Sequence, residues 1–70
     1  MTGDKFRALR YYTNQTQAEF ANTLGLSLAT IGRIENGSLQ VTPRVKAKLA
    51  RLDYDEKAFF AFYENLRKLS

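Results

Sequence analysis

TQAEFANTLGLSLATIGRIENG, residues 16–37, contains two helix starts and two helix stops in quick succession. Thr16-Gln17-Ala18-Glu19 has the form of a capping box, in which Thr16 at the N-cap and Glu19 three residues on each satisfy a backbone N–H of the other. Phe20, Ala21 and Leu24 then recur at the spacing of one helix face. Gly25 follows, a residue that turns left-handed without a Cβ penalty. Ser27 is a second good N-cap. After it, Ile31 and Ile34 form an inner face, and Asn36-Gly37 ends the helix. Only Gly25-Leu26-Ser27 separates the two helices, so they must cross at a large angle, the geometry of a helix-turn-helix over about residues 16–36. Ala21 is small where the second helix approaches the first, and Leu26 plugs the corner.

Helical spacing continues on both sides of this stretch. Upstream, a helix is predicted from about Lys5 to Tyr12, with Phe6, Leu9 and Arg10 on one face and Thr13-Asn14-Gln15 as the turn after it. Downstream, residues 38–41 read as a loop. Thr42 then caps a helix with Pro43 at its first position and an apolar stripe of Val45, Leu49 and Leu52. A fifth helix, about residues 54–69, is predicted to open on Asp53 as N-cap with Glu56 at N3. Phe59, Phe62, Leu66 and Leu69 form its seam. Phe60 lies off that seam, to be exposed together with Tyr63 and Arg67 as a contact patch, or packed against Tyr11 or Tyr12. Period-2 alternation is absent. The expected fold is all-α: a compact five-helix bundle forming a single domain over residues 1–70.

Composition narrows the function. The 70 residues include no cysteine and no histidine, which removes disulfides, thiolate ligands, the commonest general base and the commonest metal ligand. The carboxylates are scattered over caps and surfaces, with no nucleophile–base pair, so neither an enzyme, a cofactor nor a small-molecule substrate is expected. No apolar run approaches a membrane span. MTGDKF at the N-terminus lacks the apolar core of a signal peptide, so a cytoplasmic setting is expected. Net charge is +4, and its distribution is uneven. Residues 1–52 carry eight Lys/Arg against Asp4, Glu19 and Glu35, whereas residues 53–70 are slightly acidic. The first part looks built to meet an anion.

Residues 16–37, ending in IENG, resemble the Cro/C1-type helix-turn-helix family of phage repressors and related regulators, and the resemblance extends over about residues 5–52. It implies a lambda-repressor-like DNA-binding domain acting on a double-stranded DNA operator in a bacterial host, at the nucleoid. It further implies that Gln17 reaches a phosphate, that the helix from residue 28 to 36 lies in the major groove, and that Asn36 and the loop after it approach the DNA backbone. Arg10 and Glu35 match a pair that in this family joins the first helix to the third. Such a pair fixes packing more than it adds stability, so its loss should hurt folding more than recognition. With Ile31 and Ile34 inward, Ser27, Leu28, Ala29, Gly32, Arg33 and Asn36 are left on the working face. Arg33 suits guanine. Arg44, Lys46 and Lys48 are candidate phosphate neutralisers, or a solvated face.

The sequence also departs from that pattern. DNA-reading members place Gln, Arg, Ser or Asn where this chain has Leu28 and Ala29, and Gly32 costs about 1 kcal/mol relative to alanine in a helix. An apolar face with a glycine notch equally suits a protein. The alternative is a modulator of repression that binds a partner repressor protein, alone or together with it on DNA. A reader of this size gains specificity as a homodimer or beside a partner.

Overall fold

Each helix starts on a side chain that accepts an otherwise unpaired backbone N–H, and these caps set the element boundaries. The computed structural model describes residues 1–69 and shows, among them, five helices: α1 Gly3–Tyr12, α2 Gln17–Leu24, α3 Leu28–Glu35, α4 Pro43–Ala50 and α5 Glu56–Lys68. Both halves of the capping box form at α2. Thr16 N–H donates to Glu19 Oε1 at 2.9 Å, and Glu19 N–H donates to Thr16 Oγ1 at 3.1 Å. Ser27 and Thr42 cap α3 and α4 as read from the sequence, with Pro43 in the first turn of α4. The left-handed turns fall at Gly25 (φ +68°), Gly37 (φ +85°) and Asn14 (φ +57°), the last in the turn between α1 and α2.

Two helix starts differ from expectation. α1 begins at Gly3 rather than Lys5, because Thr2 Oγ1 accepts the N–H of Lys5 and caps the helix. α5 is capped by Asp55, not Asp53. Asp55 accepts from the N–H groups of Lys57 and Ala58, so Glu56 is the first helical residue rather than the third. The reason is packing: with Asp55 at the cap, Tyr54 precedes it and folds edge-on against Phe59, ring centres 5.8 Å apart. That is a hydrophobic staple between the residue before the cap and the fourth of the helix.

The core is made by Phe6, Ala8 and Leu9 of α1, Phe20, Ala21 and Leu24 of α2, Ile31 and Ile34 of α3, Val45 and Leu49 of α4, and Phe59 of α5. Phe6 and Phe20 meet edge to face at 5.4 Å. α3 packs on α1 and α2, while α5 packs on α1. There Tyr12 meets Phe59 and Phe62 at 5.6 and 5.4 Å. Leu69 was expected in the α5 seam but follows the last helical turn and stands 85% exposed. Tyr63, for which exposure or packing on Tyr11 or Tyr12 was left open, is half-buried and stacks on Phe59. Phe60 is exposed, the first of the two alternatives read for it. The start of α1 runs so close to the end of α3 that a Cβ on Gly3 would collide with the carbonyl oxygen of Ile34.

Candidate nucleic-acid interface

α3 has two unlike faces. Ile31 and Ile34 are fully buried, which locks its inner side against α1 and α2. The positions between them point away: Leu28 is 53% exposed, and Ala29, Arg33 and Asn36 are exposed as well. Spacings of three and four residues bring Leu28, Ala29, Gly32, Arg33 and Asn36 onto one side of the helix. The sequence-predicted outward residues are thus brought together. A Cβ added to Gly32 would meet nothing within 4 Å, so no contact inside the protein requires glycine there.

The polar groups at the edges of this face are already engaged. Ser27 Oγ accepts from the N–H of Thr30 at 3.1 Å and shares a 2.8 Å hydrogen bond with Thr30 Oγ1. Asn36 Oδ1 accepts from the N–H of Ser38 at 2.9 Å, which shapes the turn after α3. Arg33 makes no hydrogen bond or ion pair among the described residues. Arg44 stands exposed on the first turn of α4, and Lys46 is exposed on the same helix. Lys48 is half-buried, with its Nζ 3.5 Å from where a Gly25 Cβ would stand. It therefore sits beside the C-terminal end of α2, where the helix dipole favours a cation.

Behind this face lies a buried charge. Glu35 is 5% exposed. Arg10 grips it with two hydrogen bonds, Nε to Oε2 at 2.6 Å and Nη2 to Oε1 at 3.0 Å. Arg10 Nη1 also donates to the carbonyl of Gln15 at 3.2 Å, so one guanidinium ties together α1, the turn before α2 and α3. Arg7 adds a 3.4 Å contact to Oε1 and donates to the Glu35 backbone carbonyl at 3.0 Å. Burial, the largest influence, pushes the Glu35 carboxyl up. The hydrogen bonds from Arg10, Gln17 and Arg7 and the charge of Arg10 together outweigh it and leave the group below its ordinary value. The Arg10 guanidinium is correspondingly raised, first by its hydrogen bond to Glu35.

Sequence reasoning found the Arg10–Glu35 pair but missed Arg7. The available signal was its position three residues before Arg10, on the same side of α1. Gln17 lies otherwise than its assigned role suggests. It is half-buried, and its Nε2 donates to Glu35 Oε1 at 3.1 Å. The side chain is anchored inward at one amide hydrogen, and its second amide hydrogen and its carbonyl make no hydrogen bond among the described residues.

Residues 3–55 match the model of a protein family described as a helix-turn-helix domain. Neither a curated protein nor a solved structure matches the chain. The matched stretch takes in α1 to α4 entire and stops at the residue that caps α5. It includes the turn at Gly25, the Arg10–Glu35 pair and the whole outward face of α3. That span is most of the chain, and the chain accordingly belongs to the helix-turn-helix domain family, in keeping with the Cro/C1-type pattern of residues 16–37.

Proposed function

We propose that this protein is a DNA-binding transcriptional regulator of a phage-type genetic switch, acting in the bacterial cytoplasm with α3 in the major groove of a duplex operator. The observation that carries the reading is the division of α3. Its inner residues are locked in the core, while Arg33 stands exposed without a partner among the described residues, on a face that the chain's basic part surrounds in sequence. In this role Arg33 reads guanine by a two-pronged hydrogen bond. Gln17, Asn36 and Arg44 bind phosphates and fix the register. Tied to Glu35, the Gln17 amide meets its phosphate with little freedom left to lose. A homodimer on a pseudo-palindrome supplies the contacts that one small domain lacks.

The test is selection from a random duplex library at about 150 mM salt, where purely electrostatic binding is weak. An enriched motif supports a sequence-reading protein, and Arg33→Ala should relax the preference at one guanine. Enrichment of nothing counts against it.

A second reading is favoured by one observation, the exposure of Leu28 beside open space at Gly32. In it, the same face docks on a partner repressor and modulates repression. Leu28→Glu should then abolish that complex, and the complex should be far less salt-sensitive than DNA binding.

A further inference from the structure

From Leu28 to Gly32, before Arg33 is reached, the outward face of α3 offers almost nothing with which to hydrogen-bond a base. Leu28, Ala29 and Gly32 carry no polar side-chain atoms, and the hydroxyls of Ser27 and Thr30 are joined to each other. Leu28 nevertheless stands 53% exposed. In the major groove the one apolar feature of any base edge is the C5 methyl of thymine. We infer that Leu28 and Ala29 are specificity-determining residues that read thymine methyls, next to a guanine read by Arg33. This rests on the DNA-binding reading above and names what its recognition helix selects.

Three features fit that assignment. Leu28, Ala29 and Arg33 share one side of the helix, so apolar and guanidinium contacts fall on neighbouring base pairs. Gly32 lies between them without a Cβ, and the protein itself has nothing there that a Cβ would touch. The groove floor can therefore come close to the helix backbone where the Leu28 side chain must reach a methyl. The charge complementarity is of the required sign, since residues 1–52 hold eight Lys/Arg against three acidic residues.

The experiment uses the full chain and the duplex enriched by selection. Each thymine in turn is replaced by deoxyuridine, which removes only the methyl, and Kd is measured by fluorescence anisotropy for the wild type and for Leu28→Ala. The expected result is a loss of roughly fourfold at one or more thymines, the size of burying a single carbon, and disappearance of that loss in Leu28→Ala. Ala29→Gly serves as a second probe at the adjacent base pair. Tight wild-type binding with every deoxyuridine neutral would overturn the inference while leaving the DNA-binding reading intact. So would a penalty that persists undiminished at every sensitive thymine in both Leu28→Ala and Ala29→Gly. A wild type that retains no duplex removes the DNA-binding reading and this inference together, and leaves the apolar face to a protein partner.

Discussion

At the scale of single residues, Glu35 is the most consequential side chain in the molecule. Its carboxylate collects hydrogen bonds from Arg10, Arg7 and Gln17 in a place that excludes water. Glu35→Ala leaves the Arg10 guanidinium partly buried without its counter-charge, which should cost about 3 kcal/mol, measurable by urea denaturation. Because the folded carboxyl lies below its ordinary value of 4.5, the stability it contributes is fully present above that pH. It is lost as pH falls from there through the lower folded value. Glu35→Gln should therefore be less stable than the wild type at neutral pH and show a flatter decline in acid. An equally steep decline would mean that other carboxylates carry the acid sensitivity. Gly32→Ala separates fold from function: the site is open, so alanine should stabilise α3 by about 0.5–1 kcal/mol and raise Tm. The same change should weaken operator binding, because the added methyl stands where the duplex approaches. Gly3→Ala should do the reverse to stability, destabilising by about 1–3 kcal/mol as the start of α1 is forced off the end of α3.

At the scale of elements, the caps decide where helices begin, and they were legible wherever one candidate stood alone. Thr16, Ser27 and Thr42 each precede an apolar stripe without a rival, and each proved to be the cap. Two aspartates compete before α5, and sequence spacing favoured Asp53 because Glu56 then completes a capping box. The staple of Tyr54 on Phe59 is a tertiary preference that spacing alone does not rank, and it gives the cap to Asp55. Asp55→Ala should cost about 1 kcal/mol, and Asp53→Ala close to nothing. Equal effects in thermal melts would contradict the assignment. The outward face of α3 was legible for a simple reason: a helix of eight residues with two buried isoleucines leaves no choice about which side faces out. The tie from Gln17 to Glu35 was not legible, because long polar side chains reach partners that periodicity does not encode. The same holds for Arg7.

At the scale of the whole molecule, the charge and the chemistry divide the chain unequally. α1 to α4 form the part matched by the helix-turn-helix family, while α5 closes the core through Phe59 and an aromatic cluster on Tyr12. Phe59→Ala should cost about 3–5 kcal/mol, enough in so small a domain to unfold much of the population. The same change made at exposed Phe60 should leave Tm nearly untouched. The working surface predicted here lies on the side of α3 turned away from its contacts with α1 and α2, so DNA and α5 should not compete. Isotope-labelled protein titrated with the enriched duplex and followed through its backbone amides tests this most directly. The largest shifts should fall in residues 27–38 and at the first turns of α2 and α4, with α5 nearly still. Shifts concentrated on α5, or spread evenly without saturation, would contradict it.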